Sequence, residues 1–114
     1  MIDPVVIADL QTSWRDFEFT SFRDGVEAHH IKTGAPAVAI LRYAPGASVP
    51  LHLHTGLETI LVLEGVQSDE RGHYAQGTLI LNPEGSSHSV WSEQGCVVLI
   101  QWEKPIKLLG LIPV

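Results

Sequence analysis

The sequence predicts an all-β protein, built as an antiparallel β-barrel or sandwich. Its apolar runs are short, and turns that contain Gly or Pro separate them along the chain. No segment has the apolar period of about 3.6 residues that is typical of an amphipathic helix. The run 96–102 is apolar on both faces, so a layer of structure should cover each side of it. Short strands of this kind bury their apolar faces as two packed sheets or as a closed barrel.

Residues 1–25 form a lead-in to the first regular strands. We expect a loop or short turn at 9–16, and the alternation toward the end of 14–19 predicts an edge strand. Aromatic side chains should anchor this segment by packing in the core or at an interface, and they are Trp14, Phe17, Phe19 and Phe22.

Two strands are predicted next, at 26–33 and 37–44. His29 and His30 are neighbours in the first of them, so they face opposite sides and cannot both bind one ion. Arg42, near the end of the second, is a candidate pocket residue, because a guanidinium can bind an anionic ligand through two hydrogen bonds. The alternative is an ordinary surface arginine.

Further strands are predicted at 49–54, 58–65, 78–81, 88–92 and 96–102, and the turn 69–72 joins a hairpin. Glu58, Ile60, Val62 and Glu64 share one face of their strand. If Glu58 points inward, Ile60 and Val62 should line an apolar cavity wall beside it.

The sequence also predicts the environments of three other side chains. Val90 shares a strand face with His88 and is a further candidate for lining the pocket. His73 follows the hairpin turn and should be exposed. Cys96 is expected to be a small buried apolar residue, with a redox or ligand role as the alternative.

Four residues form a candidate metal site: His52, His54, Glu58 and His88. His52 and His54 are two apart in a strand-like run, so both imidazoles can reach one ion. A short turn can bring Glu58 beside them, whereas His88 must come from another strand. Such a ligand set suits one divalent transition metal, which could be Zn, Fe, Mn, Ni or Co, and leaves open positions on an octahedral ion. A closed structural zinc site would more usually be rich in thiolates. The alternative is that the His-x-His pair is merely exposed or hydrogen-bonded.

The glycines around these residues complete a pattern that resembles the two motifs of the cupin superfamily. The first reads Gly46, five residues, His52-Leu53-His54, three residues, Glu58, six residues, Gly65. The second reads Gly77, five residues, Pro83-Glu84-Gly85, two residues, His88. The one departure is Ser92, where the family commonly has Asn. The resemblance implies a double-stranded β-helix, or jelly roll, with motifs at 46–65 and 77–92 and one bound metal.

More narrowly, the chain resembles the cupin domain of ChrR-type anti-sigma factors. The residues that carry this resemblance are Glu58-Thr59, Leu63-Glu64-Gly65, Asp69-Glu70, Tyr74 and Gly95-Cys96. It implies a zinc-binding regulatory module, in which a separate N-terminal domain would contact the sigma factor. We expect residues 1–114 to form a single domain, without space for such a second domain.

Composition narrows the classes of partner. A net charge of −6 with only seven Lys and Arg residues argues against nucleic acid. We expect no membrane partner, because no apolar run approaches the length of a span. The chain starts without the pattern of a signal peptide and has one cysteine, which predicts a cytoplasmic protein without an internal disulfide. The apolar run 96–102 and the apolar tail 106–114 should pack on the barrel or on a second subunit, and they predict a homodimer.

Three functions are consistent with these features. The preferred one is a metal-dependent dioxygenase, which the resemblance to small cupins implies would act on a diketone or aryl ketone. No separate general base stands out, and this suits oxygen chemistry better than hydrolysis. The second is a zinc-binding sensory or regulatory module of the ChrR kind. The third is a binding protein whose metal mainly stabilises the barrel.

Overall fold

A computed structural model describes residues 2–109, and its architecture is a curled antiparallel β-sheet that forms a half-barrel. The predicted all-β class is therefore confirmed. Helix α1 (Leu10–Ser13) and a 3-10 turn (Trp14–Asp16) precede the strands. The strands are β1 Thr20–Arg23, β2 Val26–Lys32, β3 Ala37–Tyr43, β4 Ala47–Leu53, β5 Glu58–Asp69, β6 Gly72–Ala75, β7 Leu79–Asn82, β8 Ser87–Ser92, β9 Cys96–Trp102 and β10 Lys107–Leu108. No helix among the described residues is long and apolar enough to cross a membrane.

The long strand β5 links the two halves of the sheet. The strand order is β1-β2-β3-β9-β5-β8-β4-β10, and β6 and β7 also pair with β5. The first half of β5 pairs with β9 and β7, whereas its second half pairs with β6 and β8. The sheet folds over at this strand, so that residues from both halves share one apolar core.

The fold-over coincides with a bulge in β5. The register between β5 and β9 shifts between Val62 and Glu64, and Gly65 follows with a φ of 76°. A side chain at Gly65 would place its Cβ 2.3 Å from the carbonyl oxygen of Gly95, so the strands approach this closely only with glycine. The prediction that Glu64 shares the inner face was wrong, because the bulge turns it outward to an ion pair with Arg15, at 2.6 Å.

A second apolar cluster covers the outer face of β3, β5 and β9. Ile40, Leu63 and Val97 are buried there beneath Trp14. The partly buried side chains that pack around them include Leu10, Phe17 and Phe19. The lead-in segment therefore supplies the second layer that the two-faced run 96–102 requires, which weakens one argument for a dimer.

The lead-in differs from its prediction in detail. The edge strand expected at 14–19 was wrong, because these residues begin as a 3-10 turn and the strand starts only at Thr20. The large aromatic side chains fold back onto the sheet, and this packing outweighs the alternation in the local sequence. Part of the tail, at 110–114, lies outside the described residues, so its predicted packing stays a prediction.

Candidate metal centre

The four predicted ligands come from three neighbouring segments of the curled sheet. His52 lies in β4 directly opposite His88 of β8, and Glu58 begins β5. His54 follows the end of β4. Its backbone N–H donates to the carbonyl oxygen of Ser86, and its own carbonyl accepts from Gly85, so the turn before β8 holds it in place. Strand pairing thus brings together residues that are 36 positions apart in the sequence, from 52 to 88.

The side chains of these four residues converge in the interior. One potential ligand atom from each lies within 4.8 Å of those of the others. The Glu58 Oε1 atom is 3.1 Å from Nε2 of His54 and 3.8 Å from Nε2 of His88. Donor atoms bound to one ion at about 2.1 Å are roughly 3 to 4 Å apart. All four residues are at most 3% exposed.

Hydrogen bonds determine which imidazole nitrogen is free. The Nδ1 atom of His52 donates to the carbonyl oxygen of Pro50 at 2.8 Å, and that of His54 donates to the carbonyl of Ser86 at 3.1 Å. The Nδ1 atom of His88 donates to Asp69 Oδ2 at 3.0 Å. With Nδ1 protonated in all three rings, the lone pair is on Nε2, which is the tautomer that binds a metal through Nε2.

Unpaired nitrogen atoms in the cluster also indicate that it fits a metal ion. The Nε2 atoms of His54 and His88 are buried and have no hydrogen-bond partner within the described residues. Nε2 of His54 lies 3.1 Å from Oε1 of Glu58, a separation expected of two ligands that bind one ion at the same point. Buried polar atoms are normally paired, and an ion at that point would satisfy these nitrogens. The cluster could therefore hold a metal ion, as predicted, and its identity is open.

Two residues support the ligands in a role that was not predicted from the sequence. Asn82 donates from Nδ2 to Glu58 Oε1 at 3.0 Å and orients that carboxylate. Asp69 accepts from His88 and is itself held by the Tyr74 hydroxyl, at 2.9 Å, and by the backbone N–H of Arg71, at 2.8 Å. Their positions at the end of β7 and beside the hairpin turn were the available indications, but pairing across strands decides their contacts.

Charge and burial act in opposite directions on the acidic members of the site. Burial by itself raises the pKa of Glu58, but the imidazoles of His54, His88 and His52 outweigh it, so this pKa lies below its usual range. Burial likewise opposes ionisation of Asp69, but its hydrogen bond to His88 helps to lower the pKa. Burial also lowers the pKa of His52. The lowered pKa values favour ionised carboxylates at Glu58 and Asp69 and an uncharged His52, and these forms favour cation binding.

A small cavity of about 30 Å³ opens beside the cluster. His52, Glu58 and His88 form its polar end, and Ile60 and Val90 line it as predicted. The other predicted wall residue, Val62, lies in the adjoining apolar core without lining this cavity. Most of the remaining wall is apolar, and its members include Phe22, Leu41, Val49, Ile100, Trp102 and Ile106.

The prediction that Arg42 lines the pocket was wrong. Its neighbours Leu41 and Tyr43 point into the core, so alternation along β3 turns Arg42 outward. There it pairs with Glu27 at 3.2 Å and lies over the ring of Phe19. The guanidinium that does line the cavity belongs to Arg23, at the end of β1.

The remaining histidines lie apart from the cluster. His29 stacks on Phe17 and hydrogen-bonds the carbonyl oxygen of Glu18, whereas His30 lies beside Phe22 on the opposite side of β2. His73 is exposed, as expected, and bonds Ser68. Cys96 is buried, and burial raises the pKa of its thiol to about 11, which fits a packing role rather than a redox role.

Fold and cluster together define a cupin. The sequence from residue 7 to residue 104 matches the ChrR Cupin-like domain, and the chain belongs to this family. The resemblance stated from the motifs is confirmed. Anti-sigma-E factor ChrR of Cereibacter sphaeroides is 31% identical over 101 residues, which are 86% of this chain and 47% of that protein. The chain therefore spans about half the length of this curated relative.

Solved structures show the same fold. In the crystal structure of Rhodobacter sphaeroides SigE with the anti-sigma ChrR, the match has a TM-score of 0.69 and 27% identity, over 77% of this chain and 49% of that one. An acetylacetone dioxygenase from Acinetobacter johnsonii matches with a TM-score of 0.78 over 97% of this chain and 80% of that one. Its identity is 13%, so this second likeness concerns the fold alone.

Proposed function

We propose that this protein binds one divalent transition metal through His52, His54, Glu58 and His88, and binds a small molecule at that metal. The observation that carries the proposal is the set of three imidazoles whose Nδ1 atoms are all hydrogen-bonded, so that their Nε2 atoms are left for an ion. Glu58 adds a negative oxygen at the same point. The adjacent cavity gives a ligand access to a coordination position.

Dioxygenase chemistry on a diketone or aryl ketone is the preferred extension of this proposal. A bound redox-active ion of this class supplies oxygen activation, and a redox-inert one polarises a carbonyl. The chain's own residues contribute the apolar wall, which limits water, and the hydrogen bonds from Asn82 and Asp69, which hold the ligands in orientation. Outside the ligand set, the polar residues that line the cavity are Arg23, Tyr43 and Gln67. A guanidinium, a phenol and an amide are poor general bases near neutral pH, which suits a reaction without a separate general base.

A zinc-binding sensory module is the second candidate, and two observations favour it. The relative at 31% identity is an anti-sigma factor. The inner cavity beside the cluster is small, about 30 Å³, and admits only a small part of a ligand such as an aryl ketone. Contact with a sigma factor is not part of this proposal, because the chain spans only 47% of that relative.

Elemental analysis of protein purified without a metal-affinity tag tests the proposal. We expect about one transition-metal ion per chain. Oxygen uptake is then followed after loading with Fe(II) and adding a β-diketone. Uptake that depends on the diketone would support the dioxygenase, whereas tightly held zinc without uptake after iron loading would support the sensory module. No metal in any preparation would contradict the whole proposal. The homodimer, the cytoplasmic location and the absence of nucleic-acid and membrane partners stay predictions.

A further inference from the structure

A second, larger pocket adjoins the cavity beside the ligand cluster. Its volume is about 240 Å³, and its walls are mostly apolar. The two spaces have four wall residues in common, and these are Phe22, Arg23, Trp102 and Ile106. A ligand that reaches the metal position can therefore have a small head in the inner cavity and a larger body in the outer pocket.

Arg23 lies at the boundary between the two spaces, where its guanidinium is over the Phe22 ring, 5.6 Å from the ring centroid. Its Nε atom is buried without a hydrogen bond, and no carboxylate in residues 2–109 lies within ion-pair distance of it. Other arginines are paired: Arg15 with Glu64 and Arg42 with Glu27. A buried guanidinium N–H without an acceptor is costly, so its persistence in a cavity wall indicates that a ligand supplies the acceptor.

We propose that Arg23 binds the carboxylate of a small organic acid, whose apolar body occupies the outer pocket that Phe22 and Trp102 line. This inference rests on the proposed function, because the carboxylate would lie in the cavity whose other end is the metal site. Tyr43 and Gln67 line the same inner cavity and add hydrogen-bonding groups near Arg23. The guanidinium that the sequence suggested for an anion is thus replaced by one on a different strand.

The guanidinium of Arg23 and the small inner cavity favour a carboxylate among anions. A planar guanidinium matches a carboxylate with two parallel hydrogen bonds. A phosphate is bulkier and carries more charge, and Glu58 already places a negative group in this cavity of about 30 Å³. Among the described residues that line the cavity, Arg23 supplies the guanidinium.

The outer pocket selects an apolar or aromatic body. Phe22 and Trp102 are stacked, with ring centroids 5.9 Å apart and planes inclined by 24°. Ala37, Pro105 and Ile106 complete a wall with little polar surface. Such a surface favours flat or aliphatic groups over sugars or polyols.

Calorimetric titration of the zinc-loaded protein tests this inference with benzoate and its neutral analogue benzamide. We expect benzoate to bind at least about 10-fold more tightly than benzamide, because the anion gains a charge-assisted pair with Arg23 in addition to any bond to the zinc, and the Arg23 variants separate the two contributions. Arg23→Gln should remove this preference, whereas Arg23→Lys should retain part of it. Arg42→Gln is the matched control, since it removes a guanidinium from the outer face, and it should change benzoate affinity less than about 2-fold.

The outcomes separate this inference from the proposed function. Zinc content is measured on each sample, so a protein without metal would contradict the proposed function whatever benzoate does. A protein with one zinc that binds benzoate and benzamide equally, or neither of them, would overturn the assignment of Arg23. Benzoate affinity that is unchanged in a folded Arg23→Gln variant would also overturn it, because the carboxylate would then be bound by the metal alone. The comparison of the two ligands on the unmodified chain does not depend on any variant folding.

Discussion

The two faces of strands β3, β5 and β9 are both buried, yet only one carries a candidate site. On the outer face Ile40 and Val97 lie beneath the lead-in segment, in a cluster that is almost wholly apolar. On the inner face, the adjacent Leu41 and Val98 belong to the core that adjoins the His and Glu cluster. In the part of the chain that the structure describes, Nε1 of Trp14 on the outer face is also buried without a hydrogen bond, but no other such atom lies beside it.

The comparison shows that burial of polar groups does not by itself define a site. The inner face differs because its unpaired atoms lie close together. The Nε2 atoms of His54 and His88 have no hydrogen-bond partner among the described residues, whereas the Nδ1 atoms of the same two rings are hydrogen-bonded. Residues of the inner face should accordingly control metal and ligand binding, and residues of the outer face should control the free energy of unfolding. Three substitutions test this division.

The largest effect is expected for His52→Ala combined with His88→Ala. Two of the four metal bonds would be lost, so metal affinity should fall by at least about 1,000-fold and stoichiometric metal should disappear. Elemental analysis after dialysis measures this. The matched control is His29→Ala combined with His30→Ala, which removes two imidazoles away from the cluster and should retain one ion per chain. Retention of metal by the first variant would show that the ligands are misassigned.

Trp14→Ala should have the next largest effect, and on stability rather than on metal content. Trp14 is 5% exposed, and truncation of a buried aromatic side chain costs about 3 to 5 kcal/mol of unfolding free energy. Trp14→Phe should cost about 2 kcal/mol or less, because the indole N–H has no hydrogen-bond partner within residues 2–109. Urea denaturation of the metal-free proteins measures both values. A fully stable Trp14→Ala variant would mean that the lead-in segment does not cover the sheet.

The smallest of the three effects is expected for Asp69→Asn. Asp69 accepts a hydrogen bond from Nδ1 of His88. Loss of a hydrogen-bond partner of a metal ligand typically weakens metal binding by about 10- to 100-fold. Competition with a chromophoric chelator measures the affinity. Two controls isolate the contact with His88: Tyr74→Phe removes only the hydroxyl bond to Asp69, and Glu70→Gln alters the adjacent carboxylate, which bonds Ser89 instead. Both should bind metal within about 3-fold of the unchanged chain. Equal affinity for Asp69→Asn would contradict its positioning role.

Much of the strand pattern could be predicted because burial on one face imposes alternation. The predicted strand 26–33 corresponds to β2 (Val26–Lys32), and 96–102 corresponds to β9 (Cys96–Trp102). In β8, His88, Val90 and Ser92 are buried on the same side, as the alternation predicted. The hairpin turn was also correct, since β5 ends at Asp69 and β6 begins at Gly72.

Prediction failed where alternation was interrupted or where packing at long range decided the outcome. The bulge after Val62 turned the Glu64 side chain to the outer face. The bulge depends on a close approach between two strands, which cannot be predicted from the sequence of one strand. The alternating aromatic residues of the lead-in predicted a strand, but these residues begin as a 3-10 turn because their side chains pack on the sheet. Arg42 lies in a strand, as predicted, but on the outer face of that strand. The local sequence does not indicate which face of β3 packs against the core.

The sequence alone determined the all-β class, the family and the four side chains proposed as ligands, because strand alternation and motif spacing are local properties of the chain. Only the tertiary structure decided which polar atoms complete the site. Asp69 reaches His88 and Asn82 reaches Glu58 through pairing between strands that are separated in the sequence, and Arg23 reaches the cavity because the curled sheet brings the edge strand β1 over it. Hydrogen bonds and cavity walls of this kind depend on register and on the twist of the sheet, and these emerge only when the strands assemble.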